Sequence, residues 1–158
     1  MDTVRSHSSP SALHLGIDDV PWVRDTRLNT ESRIVQVRDS DGLYVTHARF
    51  PAGFAVGTHR HTGPVLAFTT TGAWGYRENH FVNRAGSYLY EPQGSVHTLF
   101  TPDDNIETTE AIFAIYGEVH YLDPSGNVID VSDGRRALAR YYAACEEAGL
   151  PRPDRILR

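Results

Sequence analysis

The sequence predicts an all-β fold, a small jelly-roll barrel followed by one C-terminal helix. Three observations carry that prediction. Short runs with apolar residues at every second position recur from residue 32 to residue 131. Gly-, Pro- and Asp-containing turns separate these runs, the pattern of a sandwich or barrel of many short strands. After residue 131 the apolar spacing changes, once, to that of a helix.

The elements follow in order. Residues 1–11 are polar and Ser-rich around Pro10, which predicts a flexible arm. Leu13, Leu15 and Ile17 then alternate with polar neighbours, a strand-like segment ending in a turn at Asp18–Asp19. Trp22, so near the terminus, is expected to pack on the domain or on a subunit partner. Ser32–Val37 and Gly42–Phe50 read as strands joined by the D-S-D-G turn at 39–42. Val65, Ala67 and Thr69 share one face of the next long strand, and Gly72 turns the chain. Ala73–Glu78 returns with Trp74, Tyr76 and Glu78 in phase. Ser87–Glu91, Thr98–Thr101, Thr108–Tyr116, Val119–Leu122 and Val128–Val131 complete the strands, the last two joined by the hairpin at 124–127. Ser132 or Asp133 caps a helix with Leu138, Tyr141, Cys145 and Ala148 on one stripe, stopped by Gly149 and Pro151. The expected organisation is one domain over residues 12–158, with a barrel core at about 32–131 and a helix at about 133–148.

Composition narrows the function classes. A chain of 158 residues supports one hydrophobic core, and 40% apolar with 22% charged residues is ordinary for a globule. All 15 cationic residues are Arg, the net charge is -5, and no basic run exists, which argues against nucleic acid. No apolar stretch approaches the roughly 18 residues of a membrane span, so no membrane partner is expected. The single Cys145 and an N-terminus without the apolar core of a signal peptide lead us to expect a cytoplasmic protein.

The chemistry concentrates between Gly53 and Thr101. His59 and His61 are two apart, so a strand presents both imidazoles to one side. His97, from a distant strand, would complete a three-nitrogen site that leaves coordination positions free. The other five histidines, His7, His14, His47, His80 and His120, fit no ligand spacing. The spacing around the three is G-x5-H-x-H from Gly53, then G-x5-P-x-G-x2-H through Gly86, Pro92, Gly94 and His97. These two motifs resemble those of the cupins. Val65 stands where many cupins carry a Glu ligand, and Thr101 where an Asn often closes the second motif. The first departure points to three histidines without the usual carboxylate.

Neutral imidazoles suit Fe(II), Zn(II), Cu(II) and Ni(II) alike. Glu78 and Tyr76 are the candidate catalytic residues. Glu78 is open to three readings: a fourth metal ligand, a base beside the metal, or a surface carboxylate near Arg77 and Arg84. Glu91, next to Pro92, is expected either to contact the ligands from behind without binding the metal or to brace the loop holding His97. Phe68, Trp74, Tyr76, Tyr88 and Tyr90 make the interval aromatic and suggest a cavity for a flat substrate.

Five stretches together resemble the 2,4'-dihydroxyacetophenone dioxygenase family. They are D-D-V-P-W-V at 18–23, H-R-H-T-G-P-V at 59–65, Y-R-E at 76–78, A-G-S-Y-L-Y-E-P-Q-G-S-V-H-T at 85–98 and C-E-E-A-G-L-P-R-P at 145–153. The resemblance implies a non-haem Fe(II) dioxygenase that cleaves the bond between a carbonyl and a hydroxymethyl carbon, giving an aryl carboxylic acid and formate. Matched by position, His59, His61 and His97 would be the ligands and Glu78 an additional one, with Zn(II) or Ni(II) as alternative occupants. The implied partners are a small aromatic carbonyl substrate, O2 and further copies of the chain in a homodimer or homotetramer. Two rivals share the histidines: an oxygen-independent metal enzyme acting on a carbonyl compound, and a metal-binding sensor module.

Overall fold

A computed structural model describes residues 11–26 and 28–158. The expected arm over residues 1–11 lies, but for Ser11, outside them. Thirteen strands and one helix follow in order: β1 Val23–Asp25, β2 Thr30–Arg38, β3 Leu43–Phe50, β4 His59–His61, β5 Val65–Thr71, β6 Ala73–Tyr76, β7 Val82–Arg84, β8 Tyr88–Glu91, β9 Val96–His97, β10 Leu99–Phe100, β11 Thr109–Tyr116, β12 Val119–Leu122, β13 Val128–Ser132 and α1 Gly134–Glu147. A six-stranded sheet runs β1-β2-β3-β11-β5-β8, facing a four-stranded β13-β12-β4-β9 and a three-stranded β10-β6-β7. All the strand pairs are antiparallel, and neighbours such as β3 and β11 or β12 and β4 are far apart in the chain, the crossed-over connectivity of a jelly roll.

Period-two patterning decides which way each strand faces. In β11 Thr109, Ala111, Phe113 and Ile115 are buried while their neighbours are half-exposed. In β5 Val65, Ala67 and Thr69 point inward, as the spacing predicts. Trp74 is fully buried, and its indole Nε1 donates to Thr69 Oγ1 at 2.8 Å. Its ring packs against Tyr76 and Phe113 at 5.4 and 5.3 Å between centroids. Gly72 makes the β5–β6 turn at φ 71°, where a Cβ would lie 2.6 Å from Thr109 Cα. Both the backbone conformation and the close approach therefore require glycine.

The helix forms where its cap predicts. Asp133 Oδ1 accepts from Arg136 N at 2.8 Å, and Leu138, Tyr141 and Cys145 are its buried stripe. Tyr141 Oη donates to Pro21 O at 2.6 Å, tying the helix to the segment before β1. Trp22 packs on the domain: Arg49 lies over its ring at 3.7 Å, Arg33 at 4.9 Å, and the His47 ring at 4.6 Å.

Three expectations need correction. Residues 12–17 form no strand. Leu13 and Ile17 are exposed, and Gly16 and Asp19 close a turn instead, with Gly16 N donating to Asp19 Oδ2 at 2.6 Å. The strand expected over Ala73–Glu78 ends at Tyr76, where Asn79 N turns back to Tyr76 O at 3.0 Å. Glu78 is thus out of phase with Trp74 and Tyr76. Phe68, Tyr88 and Tyr90 do not line the cavity inside the barrel; all three are more than half exposed on the outer face of β5 and β8.

Candidate metal centre

Strand β4 lies between β12 and β9, and its register delivers the site. His59 pairs directly with His97 on β9, so both side chains rise from the same face. His61, two residues on, shares that face, while Arg60 between them is exposed. Gly94 N donates to His61 O at 2.8 Å and His61 N to Ser95 O at 3.1 Å. These bonds anchor the P-Q-G bend that returns His97 to the barrel. The three rings are buried, with centroids 4.8–5.2 Å apart. One nitrogen from each lies within 4.8 Å of the others, close enough for a single ion.

The protonation pattern suits a cation. His59 Nδ1 donates to the Gly57 carbonyl at 2.8 Å, leaving Nε2 as a bare lone pair. Burial pushes the His59 imidazole below its ordinary value and pushes His61 down to about 4, so both are neutral near pH 7. As pH falls from 6.5 toward 4 the unfolded chain takes up protons that the folded chain refuses. The metal-free protein is therefore expected to lose stability through that window, by about 3 kcal/mol from His61 alone. Urea unfolding at pH 7 and pH 4 measures this; an unchanged midpoint contradicts it.

Glu91 lies against the histidines, the first of the two places expected of it. Its carboxylate is buried, with Oε2 3.3 Å from His61 Nε2 and 3.2 Å from His97 Nε2. Its Oε1 accepts a short hydrogen bond from Tyr76 Oη. Burial alone would raise the Glu91 carboxyl, but the adjoining His97 and His61 and the Tyr76 hydroxyl more than offset this and hold it ionised. Glu91 pairs across the ladder with Val65, the position where cupins often carry a Glu. Here the carboxylate comes from the neighbouring strand. A signal was present: Glu91 is two residues beyond Leu89, on the inward phase of β8.

Tyr76 belongs to the site, its ring stacked on His97 at 3.7 Å and 9°. Burial, then the Glu91 charge, pushes its hydroxyl far up, so it stays a donor. Glu78 stands apart. It is exposed, and its oxygens accept from Thr98 N and Thr98 Oγ1 at 2.8 Å each. Thr98 Oγ1 also lies 2.8 Å from Thr58 Oγ1, so Glu78 ties together the residues flanking His97 and His59. Its geometry is that of a brace.

The centre opens on a cavity of about 320 Å³ inside the barrel. Phe50, Phe113, Ile115, Val119 and Leu99 supply apolar wall, and His59, His61, Glu91 and Tyr76 supply the polar end. This is a large apolar pocket with a few converging polar groups, the form of a small-molecule site. Of the five aromatic residues expected to line it, Tyr76 does; the rest of the aromatic wall, including Phe50, Phe113 and Tyr121, comes from outside the motif interval.

Comparison with known proteins places these features. A family model described as the ChrR cupin-like domain matches residues 11–120. Among solved structures, an RmlC-like cupin protein from Ralstonia eutropha is 27% identical with a TM-score of 0.84, over 94% of this chain and 95% of that one. A protein of unknown function with a cupin-like fold, also from Ralstonia eutropha, is 30% identical with a TM-score of 0.79, over 89% of each chain. An acetylacetone dioxygenase from Acinetobacter johnsonii shares the fold at 19% identity and a TM-score of 0.72, over 91% of this chain and 99% of that one. Comparison with curated proteins returns no match. By its motifs, its barrel and the span of the match, the chain belongs to the ChrR cupin-like domain family.

Proposed function

We propose that the protein is a non-haem Fe(II) dioxygenase cleaving the carbon–carbon bond of an aryl α-hydroxyketone. The observation that carries this reading is the buried set of His59, His61 and His97, of which His59 and His61 line the polar end of an apolar cavity. The residues fit a metal: His97 Nε2 is buried and makes no well-formed hydrogen bond, its nearest polar neighbour being the Glu91 carboxylate at 3.2 Å, so a cation beside that carboxylate would satisfy both. Three neutral nitrogens leave open positions, the fold is one that an acetylacetone dioxygenase also uses, and iron is the metal that a dioxygenase reading calls for.

When bound, iron supplies Lewis acidity toward a chelating hydroxyketone and the electrons that open dioxygen to reaction. The protein's own groups do the rest. Glu91, held by Tyr76, is a buried carboxylate beside the histidines and accepts the proton that leaves the substrate carbon or hydroxyl. Tyr76 fixes both Glu91 and the plane of His97. Glu78 positions the strand ends carrying His97 and His59 and is no ligand in this reading. Phe50, Phe113 and Ile115 exclude water around the aryl group. The overall change is hydroxyketone plus O2 to aryl carboxylic acid plus formate, which balances without a further reductant.

The two acidic residues separate cleanly by substitution. Glu91→Gln keeps the shape and loses the charge, so metal affinity is expected to fall about 10–100-fold. Glu78→Gln leaves metal content unchanged. Competition with a chelator reads both variants, and equal losses contradict the assignment. The reaction itself is tested with 18O2 and a panel of aryl α-hydroxyketones. One labelled atom in each acid product supports dioxygenation, and products without label contradict it. A second reading, a metal-holding module that controls a partner protein, draws on the fold shared with ChrR of Rhodobacter sphaeroides, an anti-sigma solved in complex with SigE (21% identity, TM-score 0.51). That reading predicts bound metal with no turnover of any panel member.

A further inference from the structure

The far end of the cavity carries a feature that the metal chemistry does not use. Ala137, Arg140, Tyr141 and Ala144 form the face of α1 that lines it. The two alanines leave room on either side of Arg140. Arg140 is the one arginine among the described residues lining the cavity. It is also exposed, so it stands where the cavity meets solvent. Five surface arginines hold carboxylates, Arg38 with Asp41, Arg49 with Glu110, Arg135 with Asp39, Arg152 with Glu146 and Arg155 with Asp19; Arg140 is among those that do not, and of these it is the one that lines the cavity. Among the described residues, no carboxylate lies at ion-pair distance from Arg140. Its guanidinium is instead steered by a short bond to Ser132 Oγ, on a buried residue that also lines the cavity.

Register sets the span. His61 pairs with Val119 on β12, and Val119 pairs with Ser132 on β13. Ser132 therefore sits two strand spacings from His61 on the same face, about 9–10 Å between backbones. Val119 and Tyr121 fill the row between, the Tyr121 ring 5.8 Å from His59. That separation accommodates one aromatic ring, with a chelating group at the histidines and a substituent at Arg140. An arginine without a counter-ion at the end of such a slot matches a carboxylate, which its planar fork binds through two hydrogen bonds.

We propose that Arg140, held by Ser132, determines specificity by binding a carboxylate on the far side of the substrate's ring. The inference deepens the proposed function and rests on that reading for the chelating end of the substrate. The substrate class becomes aryl hydroxyketones bearing a ring carboxylate across from the ketone.

The test uses the full chain loaded with Fe(II), under anaerobic conditions, so that binding is read apart from turnover. Equilibrium titration compares 4'-carboxy-2-hydroxyacetophenone with its isosteric 4'-carboxamide. Wild type is expected to bind the carboxylate about 10–100-fold more tightly, the range of a charge-assisted hydrogen bond. Arg140→Gln is expected to erase that preference while leaving carboxamide affinity unchanged, and Arg140→Lys to restore part of it. Equal binding of the two ligands by wild type, or a preference that survives Arg140→Gln, overturns the inference. Admitting oxygen to the same samples then tests the reaction separately. A carboxylate preference without oxygen uptake supports Arg140 as a binding residue and sinks the dioxygenase reading.

Discussion

Replacing His97 by Ala is expected to strip the metal from the protein and abolish its turnover. His97 faces His59 across the β4–β9 pair, and its ring is buried and stacked on Tyr76. Its Nε2 lies 3.2 Å from Glu91 Oε2 without forming a well-directed hydrogen bond, so the ring is held in place with that nitrogen available to a metal. Without it only His59 and His61 supply nitrogen, and two neutral imidazoles hold iron weakly. Losing an outer partner of a ligand costs about 10–100-fold in affinity, so losing a ligand costs more than about 100-fold. Metal content after gel filtration and oxygen uptake on the same sample read both losses. Far-UV circular dichroism should remain that of wild type, because His97 ends a two-residue strand and not a core element. A His97→Ala protein that retains stoichiometric metal contradicts the assignment.

Trp74→Ala is expected to cause the largest loss of stability. Trp74 is wholly buried, touches Tyr76 and Phe113 by its ring, and donates to the buried Thr69 hydroxyl. Truncating such a side chain costs about 3–5 kcal/mol, part from lost burial and part from the cavity left behind. Thr69 Oγ1 also loses its donor. In a chain of this size that lowers the melting temperature by about 10 °C. Trp74→Phe keeps most of the volume and is expected to cost less than half as much. Thermal unfolding of both variants, metal-free, makes the comparison; equal melting temperatures for Trp74→Ala and wild type would contradict this packing account. Because Trp74 backs Tyr76, and Tyr76 holds Glu91 and His97, the Ala variant should also bind metal less tightly.

Much of the site was legible because its residues belong to local patterns. The His59–x–His61 pair needs only the two-residue period of a strand, and His97 only the bend at Pro92–Gly94. The helix was legible from Asp133, whose cap is a local bond, and from the stripe of Leu138, Tyr141 and Cys145. What escaped depended on register or on where a strand stops. Glu78 read as inward by counting from Trp74, but the strand ends at Tyr76 and the count fails beyond it. The inward phase of Glu91 was legible in β8, but its contact with both His61 and His97 follows from lying opposite Val65, a pairing between strands that no local pattern contains. The outward Phe68, Tyr88 and Tyr90 show the same limit, since aromatic content alone does not say which face of β5 and β8 meets the cavity.

The central claim is that three histidines hold a metal at which oxygen and a carbonyl compound react. The most direct test loads the purified chain anaerobically with Fe(II), removes excess metal, and measures iron content and oxygen uptake on one sample. The account predicts one iron per chain and, with an aryl hydroxyketone, oxygen consumed in equal amount to acid formed. One iron per chain with no oxygen uptake across the panel would contradict it and favour the module that binds metal to control a partner.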